Sequence, residues 1–210
     1  MTDRSAIDAK AEAFFEDLWK TGDPWELETS PFERAKYGRQ MEMLGGRRYH
    51  RVLEIGCGNG CFTTRLAEIA DFVLALDISH LAVERARAAT LGKGVECRVA
   101  NIMHCDLRTE LPWDLVVMSE TIYYLGWLYS FFDVAWLASE LLVATERDGH
   151  LLMANTCGGV EDYLLRPWMI RTYHDLFRNV GYGLSVEEIF WGIKNGAEIK
   201  VLISLFAKTT

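Results

Sequence analysis

The sequence predicts an α/β protein with a mostly parallel sheet, helices on both faces and one reversed strand. Three observations carry that expectation. Short apolar runs alternate with stretches of helical period, the pattern of strand–helix units around a sheet buried on both faces. Three glycines, Gly56, Gly58 and Gly60, stand between the first of those runs and the next helical stretch. Near the end, Asn195-Gly196 joins two extended runs and is a hairpin-turn pair, so the last strand should run against its neighbour.

Taken in order, residues 5–20 place Ile7, Ala11, Phe14 and Leu18 roughly on one face and read as a helix, broken by Gly22, Asp23 and Pro24. A second helix over 32–44 stops at Gly45-Gly46, and the two form an N-terminal helical cap or lid, 1–45. Strands follow near 51–55, 72–76, 95–99, 114–118 and 150–154, with helices near 61–69, 80–91 and 130–145, giving a ligand-binding core, 46–155. A helix near 167–179, opened by Pro167 and closed by Gly181, leads into extended runs 184–190 and 198–208, the C-terminal part, 156–210. The sum is seven strands in a single Rossmann-like domain, 1–210. That length supports one sizeable core rather than two.

The chemistry begins at Glu54-x-Gly56-x-Gly58-x-Gly60. Glycines at a strand-to-helix turn permit positive φ and let the backbone approach a ligand. The second apolar run stops at Asp77, the carboxyl end of the neighbouring strand, where a carboxylate can accept hydrogen bonds from both hydroxyls of a ribose. Asp77 could otherwise read as a helix cap, but Ser79 competes for that role. A dinucleotide fingerprint needs Gly-x-Gly-x-x-Gly; here the third glycine comes one place early. Glu54 adds a negative charge inside the loop, which would repel a pyrophosphate and suits a ligand with a cationic end. S-adenosyl-L-methionine has such an end, an ammonium and a sulfonium beside one carboxylate. Cys57 and Cys61 lack a second Cys or His pair at zinc-finger spacing and read as small buried fillers.

This spelling, in order with Asp77 and two further strand ends, resembles motif I of the class I S-adenosylmethionine-dependent methyltransferases. The resemblance implies their seven-stranded sheet, S-adenosyl-L-methionine as cofactor and S-adenosyl-L-homocysteine as product. It implies cofactor contacts from Glu54, Gly56, Cys57, Gly58 and Gly60, from Asp77 and Ile78, from Asn101 and Ile102, and from Ser119. Family members usually carry Asp where Asn101 stands, to meet the adenine amino group; Asn101 keeps the acceptor oxygen without the charge.

Residues 22–37, with Ser119-Glu120-Thr121-Ile122-Tyr123-Tyr124-Leu125, look like the NodS-type methyltransferases, over roughly residues 20–145. Those enzymes N-methylate an amino sugar. The likeness implies a small-molecule acceptor with an amine nitrogen, and a lid whose Trp25, Ser30, Arg34 and Tyr37 close over cofactor and acceptor. Arg34 either pairs with the methionine carboxylate or makes a helix-surface ion pair with Glu28 or Glu33. Glu120 is the expected catalytic group, holding or deprotonating the amine, with Tyr123 orienting it; the alternative is a Glu120 that only orients cofactor. A similarly placed Glu in the small-RNA 2′-O-methyltransferases shares a metal with a second Glu and a His. Tyr123 and Tyr124 fill those places here, so no metal is expected. His174, on the late helix, is either a base at the cleft or a surface residue.

Net charge is −8, which disfavours a nucleic-acid partner. Five scattered cysteines and no signal-peptide pattern lead us to expect a reducing, cytoplasmic setting. No apolar run approaches the roughly 18 residues of a membrane span. An O-methyltransferase on the same scaffold, a nicotinamide-dependent oxidoreductase and a non-catalytic binding module stay open, as does the oligomeric state.

Overall fold

Alternation along each strand sets the layering. In the computed structural model, which describes residues 4–107, 109, 112–159 and 162–208, seven strands form one sheet in the order β3-β2-β1-β4-β5-β7-β6. The strands are β1 (Tyr49–Ile55), β2 (Ala70–Asp77), β3 (Val95–Val99), β4 (Trp113–Ser119), β5 (Thr145–Gly158), β6 (Tyr182–Lys194) and β7 (Ala197–Lys208). The helices are α1 (Arg4–Lys20), α2 (Pro31–Met43), α3 (Cys61–Ile69), α4 (His80–Ala89), α5 (Ile122–Leu128), α6 (Phe131–Ala144) and α7 (Pro167–Val180).

Register lines the apolar side chains up in rows. Leu74, Leu53, Val116, Leu151 and Phe206 are successive partners across five strands, and they pack with residues of α5, α6 and α7. The residue before each faces the other way: Val73, Val52 and Leu115 pack with residues of α2, α3 and α4. A one-residue slip would exchange the two cores, so the apolar pattern fixes the register.

β7 alone is reversed, antiparallel to both β5 and β6, as the hairpin pair requires. Asn195 and Gly196 have φ of 51° and 79°, both left-handed, the requirement of a two-residue turn matched to strand twist. The strands outrun the sequence expectation at several ends, most of all β5, which begins at Thr145 rather than near 150. The early part of β5 reads as polar loop because Glu146, Arg147 and Asp148 are exposed there. Helix α5 lies outside the sequence expectation altogether. Its seven residues, IYYLGWL, are too short and too uniformly apolar to show a helical period.

Candidate functional site

The carboxyl ends of β1, β2 and β4 open into a cleft of about 610 Å³, roofed by the N-terminal segment and walled at one side by the β6–β7 hairpin. Its floor is the glycine turn. Gly56 has φ +81°, and a Cβ there would collide with Thr121, whose hydroxyl donates to the Ile55 carbonyl. The amides of Gly56 and Cys57 both donate to the Leu76 carbonyl, tying the turn to the end of β2. Asp77 completes the brace: Oδ2 accepts from the Gly58 amide at 2.9 Å and Oδ1 from the Ser79 amide at 3.0 Å. Ser79 itself caps α4, accepting from Ala82, so Asp77 is not that helix's cap.

Most residues expected at the cofactor site line this cleft: Trp25, Glu54, Gly56, Cys57, Gly58, Asp77, Ile78, Asn101, Ile102 and Ser119. Glu120 and Tyr123 line it too, beside Ser119 at the end of β4. The Ser119 hydroxyl is buried without a partner. Three expected residues do not line it. Gly60 lies behind the turn at the start of α3, where a Cβ would meet the Ala86 backbone at 2.9 Å, so its work is helix packing. Ser30 caps α2, accepting from the Glu33 amide. Arg34 is exposed on the outer face of α2 and donates to the Glu28 and Thr29 carbonyls, an arrangement that matches neither role expected of it.

Two further expectations change in detail. Glu54 lies on β1, 2% exposed, with the Thr63 hydroxyl donating to it at 2.6 Å. Burial, and then the Asp77 charge, push its carboxyl up to about 8, against the Thr63 hydrogen bond. In the protein without ligand it is therefore a neutral acid near pH 7, not a fixed charge in the loop. Asn101 turns its acceptor oxygen to the Met103 amide, and its NH₂ donates to Asp8 and to the Tyr129 hydroxyl. His174 is neither at the cleft nor on the surface. It is wholly buried under α7, between Ser204 and Asn155, and burial depresses it to about 3.

Sequence reasoning missed the residue that ties the far end of the cleft together. Lys36, 2% exposed, puts its ammonium 2.6 Å from Glu33 and 2.9 Å from Glu120. Burial opposes that charge, but Glu120 and Glu33 outweigh it and hold Lys36 above the ordinary lysine range. Lys194, from the hairpin, donates to Glu33 and to the Trp25 carbonyl, both at 2.7 Å. Glu120 is held on every side: Oε1 accepts from Lys36 and the Thr156 hydroxyl, Oε2 from the Thr156 amide and the Tyr123 hydroxyl. Its backbone has φ +56°, a left-handed conformation uncommon outside glycine and a mark of a constrained position. The spacing Glu33-x-x-Lys36 does signal a helix-face pair. Nothing local signals that this pair points inward.

α1 supplies the roof, and Ala11, Phe15 and Trp19 face the cleft from it. Phe15 meets Tyr124 edge-on with centroids 4.9 Å apart, and Trp19 meets Trp25 at 5.4 Å. Polar contacts pin the helix at both ends. Asp8 accepts from Tyr129, and Arg85 donates to the Trp19 and Gly22 carbonyls. Tyr37 stacks on Phe62 with ring planes 12° apart. Among the described residues no group of three or more His, Cys, Asp or Glu is arranged to hold a metal ion, and no helix is long and apolar enough to cross a membrane.

Comparison with known proteins agrees with this geometry. The chain is 36% identical over 109 residues to nodulation protein S of Bradyrhizobium diazoefficiens, a match spanning 49% of each protein, and 27% identical over 148 residues to that of Rhizobium tropici, spanning 70% of this chain and 58% of the relative. The matches thus span only about half the length of these curated relatives. Among solved structures, the N-methyltransferase NodS from Bradyrhizobium japonicum WM9, in complex with S-adenosyl-L-homocysteine, superposes with a TM-score of 0.80 at 21% identity, covering 95% of this chain and 99% of that one. An S-adenosylmethionine-dependent methyltransferase of Leishmania major follows at 0.72 and 17%, covering 95% and 82%. Both show the class I methyltransferase fold. The family model for nodulation protein S matches residues 8–135, more than half of the chain, which therefore belongs to the NodS family.

Proposed function

We propose that this protein is an S-adenosyl-L-methionine-dependent methyltransferase that methylates an amine nitrogen of a small acceptor, of the amino-sugar class. The observation that carries the reading is the cradle at the ends of β1, β2 and β4. Gly56 and Gly58 present backbone at positive φ to the cleft, Asp77 stands at a ribose-binding position, and the buried Ser119 hydroxyl lacks a partner. These groups fit a nucleoside with an aminoacyl tail. The similar NodS structure, an N-methyltransferase with bound S-adenosyl-L-homocysteine, supports the same reading.

When bound, S-adenosyl-L-methionine supplies a sulfonium-activated methyl group that needs only alignment with a lone pair, and orientation can contribute roughly 7–11 kcal/mol. The protein's own groups supply that alignment. Gly56, Gly58 and Asp77 hold the nucleoside, and Ser119 is placed to hold the tail. Trp19, Trp25 and Phe15 exclude water from above. Glu120 and Tyr123, locked to Lys36 and Thr156, form the rigid end of the cleft against which the acceptor is positioned. Calorimetry with S-adenosyl-L-homocysteine, followed by methyl-transfer assays on glucosamine and other amines, tests the proposal. Micromolar binding and an N-methylated product are expected. Binding of a nicotinamide dinucleotide instead, or methylation confined to hydroxyl acceptors, would overturn it.

A further inference from the structure

Resting on the amine-methylating reading, we propose that Lys36 makes the acceptor end of the cleft select an amine in its neutral form. It does so by occupying, as an internal ammonium, the two carboxylates that would otherwise bind the acceptor's own ammonium. The geometry is specific. Glu33 and Glu120 are the carboxylates at this end, and Lys36 bridges them at 2.6 and 2.9 Å. Lys194 takes the other oxygen of Glu33, so two carboxylates face two ammoniums and the cluster sums to no net charge.

Beyond this cluster two further carboxylates, Glu26 and Asp162, line the cleft, and its other neighbours are neutral. Tyr37 from α2 and Tyr123 and Tyr124 from α5 are neutral phenols, since burial pushes each of them up. Glu54 from β1 is neutral near pH 7. Glu26 accepts from Asn195 at the outer rim. Asp162, across the cleft, accepts from the Leu164 amide and caps the short helix Tyr163–Leu165. An ammonium entering on the Lys36 side finds Glu33 and Glu120 already paired with lysines, so it sheds its water without gaining a carboxylate of its own. That is a strong penalty where water is scarce.

The selection matters because only the neutral amine is a nucleophile. Its lone pair forms the new N–C bond, the C–S electron pair stays with sulfur, and the product ammonium yields its extra proton to water. A site that admits the free base needs no general base for the transfer itself. This fits a Glu120 whose two oxygens already accept four hydrogen bonds.

A binding experiment separates this from the underlying cofactor assignment. Sinefungin is an analogue of the cofactor with an amine in place of the methyl sulfonium, whereas S-adenosyl-L-homocysteine carries no charge at that point. Calorimetry at pH 7 would give the ratio of the two affinities for the native protein, for Lys36→Met and for Lys36→Met/Glu120→Gln. Lys36→Met should shift the ratio towards sinefungin by about tenfold or more, the low end of coupling between close charges. The double variant restores a cluster of zero net charge and should return the ratio to near its native value. A ratio unmoved by Lys36→Met would overturn the proposal, as would one that stays shifted in the double variant. If Lys36→Met does not fold, Glu120→Gln alone decides: an added net positive charge must move the ratio against sinefungin, and an unchanged ratio refutes the role. A native protein that binds neither ligand would instead overturn the cofactor reading, and this inference with it.

Discussion

Replacing Glu54 by Gln should make the protein more stable in alkali while leaving it nearly unchanged in mild acid. Glu54 is fully enclosed on β1, where the Thr63 hydroxyl donates to it, and its carboxyl stands at about 8 against an ordinary 4.5. The folded state therefore keeps a proton that the unfolded chain gives up. Stability from this group is present below about pH 4.5 and is lost progressively as pH rises, fully so above about pH 8. A shift of that size corresponds to about 4–5 kcal/mol between the two ends of the window. Glutamine copies the neutral acid in shape, keeps an oxygen for Thr63 and has no proton to lose. Urea unfolding of both proteins at pH 5 and pH 9 reads the difference directly. The curves should nearly coincide at pH 5, and at pH 9 the variant should be the more stable by several kcal/mol. An equal gap at the two pH values, or a variant that is weaker at pH 9, would show that Glu54 ionises freely in the folded protein.

Other expectations follow from the same geometry. Asp77→Ala should weaken S-adenosyl-L-homocysteine binding by about 1.5–3 kcal/mol, the range for hydrogen bonds to a charged group, and unchanged calorimetric affinity in a folded variant would remove Asp77 from the site. Amides across residues 23–37 should exchange faster without cofactor than with it, because Pro24, Trp25, Leu27 and Tyr37 face the cleft; equal protection in both states would exclude lid closure. His174→Ala should cost about 2–4 kcal/mol in urea midpoint measurements, since it leaves a cavity and takes a buried hydrogen-bond partner from Asn155 and one of two from Ser204, while leaving cofactor affinity unchanged. The same variant should lose part of the acid sensitivity between pH 6.5 and about 3, where the unfolded imidazole binds a proton that the buried one refuses. A variant that instead keeps its stability but loses cofactor affinity would return His174 to the site.

Much of the fold is legible in the sequence because its signals are local or periodic. Glycines that break a strand, Asp77 at a run's end and Asn195-Gly196 between two runs each need only a few neighbours to be read. What stays hidden depends on distant packing. Arg34 and Lys36 stand two apart on one helix, and only the placement of α2 over the sheet decides that Lys36 points in and Arg34 out. Ser30 reads as a ligand contact by resemblance, although the following Pro31 and the Glu33 three residues on already spell a helix cap. Gly60 looks like its two companions in sequence, yet its partner is Ala86 of α4 rather than a ligand. Glu54 carries a formal charge in any sequence; its neutrality comes from the enclosure built around it.

The order of the sheet has a consequence for how the protein is made. β7 follows β6 in the chain but lies inside it, between β5 and β6. Strands β1 to β3 follow one another outward and β4 returns to pair with β1, so all four can assemble before the last strands emerge, with the glycine turn and Asp77 among them. β6 has no seat on the sheet until β7 emerges and inserts against β5, so the two must dock as a preformed hairpin. Lys194 and Asn195, which reach back to Glu33, Trp25 and Glu26, arrive only with that last step. The half of the cleft built on the glycine turn is thus early, whereas the opposite half is late and joins the β6–β7 hairpin to the segment around Trp25 and Glu33. Removing β7 would therefore take the hairpin wall of the cleft as well as the sheet's interior, leaving a nascent core that holds the glycine turn and Asp77 with nothing built across from them.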